Sequence, residues 1–282
     1  MERITEIHGK LLEGCVWDGK KERLYFIDID KFRIYRYEPK IKNLSFFQLH
    51  TYVGCIVLNK EGDLIAALQD GLYRVSAETG EYHKIMDSNL PDYLRYNDGK
   101  CDCLGNLWVG TMAINQEHEK AIHGGSLSCV SKNQIEEIYL GYTIPNGLDW
   151  NEKENLFFHT ETYEKRIDVY KTDFQKKTIV KIGKIDFSQE KGCPDGMCLD
   201  SEGNLWTALW GSGEVVKVNP KEGNILKRIC LPDKNVSCCT FGGEDLRDLY
   251  ITTARDEQSK GGEVYVCKVE EQGKEPYRYE CE

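Results

Sequence analysis

The sequence predicts an all-β fold, a six-bladed β-propeller of four-stranded antiparallel sheets, and three observations lead to this prediction. One phrase, a turn with Gly, Asp or Glu followed by a short apolar strand, occurs six times at intervals of roughly 40 to 50 residues. Each repeat also contains shorter alternating runs such as "RIYRYE" and "EVVKV". No segment shows helical periodicity over several turns. The six apolar strands begin at Leu24, Leu64, Leu107, Leu156, Leu205 and Leu249.

A sheet of about four short strands repeated at this spacing favours a propeller, because each sheet must cover its faces with its neighbours. The N-terminal segment "RITEIHG" is expected to add the outer strand to the last sheet, which ends in "GEVYVCKVE". A two-sheet sandwich is the alternative, but it does not predict a six-fold period. Residues 1–282 are therefore interpreted as a single propeller domain.

Composition excludes several classes of protein. A net charge of −10 argues against a nucleic acid or an anionic membrane as partner, since both favour clustered Lys and Arg. The chain opens without a secretory apolar region and contains no apolar run of transmembrane length, so we expect a cytoplasmic protein. The twelve cysteines are then expected to be reduced thiols. Neither Cys101 with Cys103 nor Cys238 with Cys239 has the spacing of a zinc module.

Polar residues occupy one register position in four of the six repeats. The innermost strands of a propeller begin at one end of the central channel, so side chains at equivalent positions are expected to meet there. Glycine follows three of the four directly and lets the backbones approach closely. These residues, about ten positions before the apolar strands, are Glu13, Asn97, Asn146 and Asp195; Gly54 and Cys239 occupy the other two repeats.

Two carboxylates with one or two amide carbonyls make an oxygen ligand set. Such a set suits Ca²⁺, Mg²⁺ or Mn²⁺, and carboxylates also bind Zn²⁺. The register therefore predicts one divalent cation at the mouth of the central channel, whose identity stays open. Asn-Gly and Asp-Gly are also common turns without chemistry, but turns alone do not explain the shared register. The sequence contains no HExxH, GxSxG or P-loop motif, so zincin, serine hydrolase and ATPase functions lack their residues.

Several stretches in a fixed order carry a more specific signal, among them "RYNDGKCDCLGNLWVGTM", "PNGLDW" and "PDGMCLDSEGNLW". Together they resemble the senescence marker protein/gluconolactonase family of regucalcins, sugar lactonases and luciferin-regenerating enzymes, which are six-bladed propellers. The resemblance implies that Glu13, Asn146 and Asp195 are metal ligands and that Asp195 is also the general base. It implies further that Asn97 contacts substrate or a bound water beside the metal, and that Arg95 hydrogen-bonds substrate oxygens.

Two departures from the family pattern bear on substrate choice. Asn115 stands where better-known members carry an acid that contributes to substrate contact, and it is expected to bind substrate here. It lies in the stretch 113–125, which is expected to form a loop over the channel mouth. Glu161 and Thr162 replace the Asp and Ser that are usual in the family.

The resemblance and the ligand set predict a divalent-metal-dependent lactonase that hydrolyses a sugar lactone, such as an aldonolactone, to its acid. The alternative is a regucalcin-like calcium-binding regulatory protein without turnover, which would use the same ligands. A propeller that serves only as a protein-interaction platform does not require polar residues in matching register. The substrate, the metal and the oligomeric state stay open.

Overall fold

A computed structural model describes residues 1–132, 134–258 and 260–280. Over these residues the chain is all-β, and the helix it contains is one 3-10 turn, Pro39–Ile41. The described part of the chain forms no helix with the length and apolar character needed to cross a bilayer.

The strands follow one another in groups of four, which we call units 1 to 6. Unit 1 contains β2 (Leu12–Asp18), β3 (Arg23–Asp28), β4 (Arg33–Glu38) and β5 (Asn43–Gln48). Unit 2 contains β6 (Val53–Leu58), β7 (Leu64–Leu68), β8 (Gly71–Val75) and β9 (Tyr82–Asp87). Unit 3 contains β10 (Leu94–Cys101), β11 (Leu107–Ala113), β12 (Gly125–Ser131) and β13 (Gln134–Tyr142).

The second half of the chain repeats the pattern. Unit 4 contains β14 (Pro145–Asn151), β15 (Leu156–Glu161), β16 (Arg166–Asp173) and β17 (Thr178–Asp186). Unit 5 contains β18 (Cys193–Leu199), β19 (Leu205–Trp210), β20 (Glu214–Val218) and β21 (Ile225–Cys230). Unit 6 contains β22 (Asn235–Gly242), β23 (Asp248–Ala254), β24 (Val264–Lys268) and the N-terminal strand β1 (Glu2–Thr5).

Each unit is an antiparallel sheet in which consecutive strands pair. β1 pairs with β24, with Glu2 opposite Val266, so the predicted N-terminal closure of the last sheet is confirmed. Units 1 to 4 are separate four-stranded sheets, but units 5 and 6 form one eight-stranded sheet rather than two. The junction is a single residue pair, Trp210 opposite Asn235, at the place where the chain passes from one unit to the next.

The first strands of the units contact one another in a closed ring. β2, β6, β10, β14, β18 and β22 are neighbours in that order, and β22 contacts β2. Apolar clusters fill the space between consecutive units; Val16 and Ile34 of unit 1, for example, pack with Leu64 and Val75 of unit 2. Equivalent clusters lie between the other consecutive pairs, including units 6 and 1. Most of the hydrophobic core is therefore distributed between sheets, as burial of both sheet faces requires.

A buried aspartate organises the turn before two of the repeated apolar strands. Asp102 Oδ1 accepts hydrogen bonds from the backbone N–H of Leu104 and Asn106, at 2.9 and 3.0 Å. Its Oδ2 accepts from Trp108 Nε1 at 2.9 Å. Asp200 binds Trp206 in the same way at 3.1 Å. The recurring "GNLW" phrase thus encodes a turn whose Trp is anchored to the aspartate that opens it.

The C-terminal segment crosses the end of the ring where the first strands finish. Lys274 Nζ donates to Trp150 O in unit 4 at 2.9 Å, and Tyr279 N donates to Leu58 O in unit 2 at 2.7 Å. Arg278 Nη2 lies 2.6 Å from Asp18 Oδ1, and the Asp18 side chain is almost fully buried. The segment therefore ties distant units together and closes this end of the central channel.

Arg278→Ala is expected to lower the free energy of unfolding by about 3 kcal/mol, because it leaves the buried Asp18 carboxylate without its cation. Urea unfolding followed by tryptophan fluorescence measures this loss. Lys268→Ala removes a cation from an exposed pair with Asp245 and is the matched control, with an expected loss below about 1 kcal/mol. Equal losses in the two variants would contradict a structural role for the buried pair.

Candidate active site

A cavity of about 430 Å³ opens at the end of the ring where the first strands begin. Five residues predicted to carry the chemistry line it, and they come from the first strands of four units. They are Glu13 in β2, Arg95 and Asn97 in β10, Asn146 in β14 and Asp195 in β18. The structure therefore brings together side chains that are far apart along the chain.

The first strand of each of these four units contains a β-bulge at or beside the site residues. The pairing register shifts between Glu13 and Val16 and between Tyr96 and Gly99. Equivalent shifts occur in units 4 and 5, at Asn146 and Asp195. The bulge leaves Asn97, Asn146 and Asp195 out of the ladder and redirects their side chains towards the axis of the ring, whereas Glu13 and Arg95 remain paired beside it. In unit 6 the bulge falls at Ser237, so Ser237 rather than Cys239 occupies the equivalent position.

The glycine after the site residue allows the strands to approach at the axis. A Cβ on Gly147 would lie 2.4 Å from the Asp195 carbonyl oxygen. A Cβ on Gly196 would lie 2.8 Å from Cys238 Cα. Any larger residue at either position would force neighbouring strands apart and widen the cavity floor.

A hydrogen-bond chain orients the amide of Asn146. Thr162 Oγ1 donates to the Pro194 carbonyl oxygen at 2.8 Å, so this hydroxyl accepts from Asn146 Nδ2 at 3.3 Å. The amide oxygen of Asn146 is then the end that can bind a cation in the cavity. Thr162 also lines the cavity. In the sequence Thr162 stands out only as a departure from the family pattern, because the Pro194 carbonyl that fixes its hydroxyl belongs to another unit.

Arg95 and Asn97 hold one another in place. Arg95 Nη1 donates to Asn97 Oδ1 at 2.7 Å and to the Tyr96 carbonyl oxygen at 2.8 Å. Asn97 Nδ2 donates to the Pro145 carbonyl oxygen at 2.8 Å, which links β10 to β14. Arg95 is 7% exposed, and burial lowers the pKa of its guanidinium to about 10, which leaves it charged at neutral pH. The pair therefore presents a fixed positive charge to the cavity.

Three carboxyl groups crowd the floor of the cavity and the channel below it. Burial, and then the charge of Asp98, raise the pKa of Glu13 to about 8. Burial and then Glu13 raise the pKa of Asp195 well above its usual range. Burial also raises the pKa of Asp98, although the Lys100 ammonium opposes this effect. The charge of Asp98, a residue that the sequence analysis did not single out, therefore acts on the site as well.

These residues fit a divalent cation. Asp195 Oδ1 is buried and has no hydrogen-bond partner among the described residues, which is costly for a carboxylate. Glu13 Oε2 accepts from the N–H of Gly14 at 2.9 Å, which satisfies only part of that carboxylate. A cation between two buried carboxylates and an amide oxygen would favour their ionised forms. The described residues contain no group of three or more His, Cys, Asp or Glu arranged for a metal; the expected set has two carboxylates and one amide.

Asn115 and its loop lie away from these groups. Asn115 is exposed, follows the end of β11, and accepts a hydrogen bond from the N–H of Glu117 at 2.9 Å. The loop packs sideways through Ala121, which contacts Leu94 and Ala113. Among the described residues that line the cavity, none comes from 114–124. The structure thus does not bring Asn115 to the group formed by the other predicted residues.

Glu161, which also departs from the family pattern, makes contacts that support the fold. Its carboxylate accepts from the N–H groups of Thr143 and Ile144 at 2.8 and 3.0 Å. It therefore holds the beginning of β14 in place, next to Asn146, without lining the cavity. Glu in place of the usual Asp therefore changes a residue that holds the site in position, and it does not change the residues that line the cavity.

Comparison with known proteins agrees with the resemblance seen in the sequence. Residues 11–255 match the SMP-30/Gluconolactonase/LRE-like region. A Bacillus subtilis protein provisionally named as a sugar lactone lactonase, YvrE, is 33% identical, covering 94% of this chain and 93% of the relative. Regucalcin of Oryctolagus cuniculus is 30% identical, covering 95% of this chain and 94% of the relative. The solved structure of a luciferin-regenerating enzyme superposes with a TM-score of 0.89 at 26% identity, covering 96% of this chain and 95% of that one. The chain belongs to the SMP-30/gluconolactonase/LRE-like family.

Proposed function

We propose that this protein is a divalent-metal-dependent lactonase that opens a sugar lactone, such as an aldonolactone, to the corresponding acid. The observation that carries the proposal is the buried, unpartnered Asp195 carboxylate oxygen beside Glu13 and Asn146, in a cavity that also holds Arg95. A family relative named for lactonase activity supports the reaction class.

We also propose that residues 1–282 form one six-bladed propeller with the metal site at its central channel. The closed ring of first strands and the apolar clusters between consecutive units support six blades. The junction at Trp210 and Asn235 is then a contact between two blades rather than a larger sheet.

Glu13, Asn146 and Asp195 are the proposed ligands, and a bound divalent cation would supply Lewis acidity to the lactone carbonyl. Asp195 is ionised when its negative charge is balanced, and its carboxylate then takes the proton of the attacking water. Asn146 contributes a neutral oxygen whose direction is held by Thr162.

Arg95 and Asn97 are proposed to orient the substrate. Arg95 has a second nitrogen, Nη2, and Nε beyond the Nη1 used within the protein, and these can donate to ring or hydroxyl oxygens. Asn97 keeps Arg95 from turning away, because it binds both Arg95 and the backbone of β14. Positioning of this kind lowers the entropic barrier to attack.

A second candidate function is calcium binding without turnover, which would make this chain a regucalcin-like regulatory protein. The rabbit regucalcin is related along nearly the whole chain, and the same oxygen ligands would serve. A pH-indicator assay on a panel of sugar lactones, with Ca²⁺, Mg²⁺, Mn²⁺ or Zn²⁺ added singly to chelated protein, separates the two functions. Turnover that depends on an added cation supports the lactonase. Tight calcium binding with no turnover on any lactone supports the regulator.

A further inference from the structure

The wall of the cavity differs sharply from its floor. The floor carries Glu13, Asn146 and Asp195; Thr162, Tyr163 and Cys193 also line the cavity, and the rest of the wall is formed by apolar side chains. These are Leu11, Ile29, Met112, Ile144 and the ring of Trp210. Met112 lies in β11 directly opposite Arg95 in the strand register, so the apolar wall begins beside the proposed substrate-orienting cation.

Part of the hydrogen-bonding capacity of the cavity is used within the protein. Both ends of the Asn97 amide are engaged within the protein. Asn146 Nδ2 is directed at Thr162, whose hydroxyl donates to the backbone of β18. The groups that remain are Arg95, Glu13, Asp195 and the amide oxygen of Asn146 at the floor, where the reacting end of the lactone would bind, and the Tyr163 hydroxyl and the Trp210 indole N–H at the wall. A hydroxyl placed against the apolar part of the wall would lose its water without gaining a partner.

The residue expected to supply a polar contact away from the floor does not reach the cavity lining. Asn115 is exposed in its loop, and Met112, three residues earlier, contributes a thioether to the wall instead. The segment that contains both residues thus contributes an apolar side chain to the described lining, and that side chain is 8% exposed.

We infer that the site selects a deoxysugar lactone, one whose exocyclic end carries a methyl group in place of a hydroxymethyl group. This inference rests on the proposed lactonase function. The ring ester would face the cation-binding floor and Arg95, and the methyl end would face Met112 and Ile144. The catalysed step is ordinary hydrolysis: water adds to the carbonyl carbon, the ring C–O bond breaks, and the alkoxide oxygen takes a proton to give the hydroxy acid.

Matched lactone pairs that differ by one hydroxyl test the inference. The pairs are L-fuconolactone with L-galactonolactone, L-rhamnonolactone with L-mannonolactone, and γ-valerolactone with γ-(hydroxymethyl)butyrolactone. In each pair that is turned over, kcat/KM is expected to be about 10- to 100-fold higher for the methyl compound. D-glucono-δ-lactone is assayed alongside, with spontaneous hydrolysis subtracted.

Wall variants supply the second readout. Met112→Gln keeps the length of the side chain and adds an amide, and it is expected to reduce the methyl preference about tenfold, whereas Met112→Leu keeps it. Ile144→Thr is a second polar substitution of the wall. Leu226→Gln, at an exposed position on the outer strand β21, is the matched control and leaves the preference unchanged.

The outcomes separate this inference from the proposed function. Turnover of the hydroxymethyl member at an equal or higher kcat/KM overturns the inference and leaves the lactonase intact. The same holds if D-glucono-δ-lactone is hydrolysed and no methyl compound is. Absence of metal-dependent turnover on every lactone overturns the proposed function, and the inference with it.

Discussion

Asp195→Asn is expected to reduce the kcat/KM for lactone hydrolysis by a factor of about 10² to 10⁴, towards the uncatalysed rate. The substitution removes the proposed base and one of the two carboxylate ligands while keeping the shape of the side chain. It should not unfold the protein, because burial and then the neighbouring Glu13 make the ionised Asp195 carboxylate unfavourable in the folded chain. In chelating buffer the variant is expected to unfold at or above the wild-type temperature. Initial rates with saturating cation and a thermal scan in chelator make the two measurements.

Asp87→Asn provides the control, since Asp87 is an exposed carboxylate on the outer strand β9. Its activity and its unfolding temperature should both match those of the wild type. Wild-type activity in Asp195→Asn would falsify the assignment of the base. A large loss of stability in the same variant would instead mean that Asp195 holds the strands together, which contradicts the electrostatic account given above.

Removal of divalent cations is expected to have the second large effect. Chelation should reduce lactone hydrolysis to the background rate. Adding back a single cation should restore it and raise the free energy of unfolding by about 2.7 kcal/mol at a free concentration near 100 times Kd. The physical reason is that the folded chain collects Glu13, Asn146 and Asp195 from three units, whereas the unfolded chain does not. Differential scanning calorimetry with and without cation measures the gain, and Glu13→Gln should abolish most of it.

The same experiment has a defined pH dependence. The pKa of Glu13 lies near 8, above its ordinary value of 4.5, so protons compete with the cation throughout the neutral range. Apparent cation affinity is therefore expected to rise as pH increases from 6 to 8. In chelating buffer the sign is opposite: the folded protein keeps the Glu13 proton while the unfolded chain releases it, so stability falls as pH rises from about 4.5 towards 8. A cation effect that is independent of pH, or that persists in Glu13→Gln, would remove Glu13 from the ligand set.

Much of the architecture could be predicted from the repeat alone. The repeated apolar residues Leu64, Leu107 and Leu205 each begin a strand, as expected, because the turn before the strand and its apolar pattern lie within a few residues of one another. The antiparallel four-stranded sheets and the pairing of β1 with β24 were predictable for the same reason. Local signals are sufficient wherever each unit repeats the same short-range pattern.

Counting back from the apolar strand of each repeat gives the wrong residue where a bulge changes the number of residues in the first strand. The sixth repeat pointed to Cys239, but the bulge falls at Ser237, whose hydroxyl donates to the Leu12 carbonyl oxygen at 2.5 Å. The size and position of a bulge depend on contacts with the neighbouring strand, here between units 6 and 1. Counting residues along one strand therefore does not predict where its bulge falls.

The role of the C-terminal segment could not be predicted from sequence patterns. It has no repeat and no strand periodicity, and its role follows from pairs such as Arg278 with Asp18, which are distant in sequence. The same is true of the electrostatics at the floor, where Asp98 raises the pKa of Glu13 from another unit.

The sequence by itself determined the all-β class, the repeat and the family, and it predicted five of the polar residues that line one cavity. Four of these follow from local patterns repeated in register, and the fifth, Arg95, follows from the family resemblance. Only the tertiary structure decided that Asn115 lies outside that lining, that Thr162 orients Asn146, and that Met112 stands on the wall. Those facts depend on where a loop packs and on which side chains meet across units. They are properties of contacts between distant residues, which the order of residues in one repeat does not express.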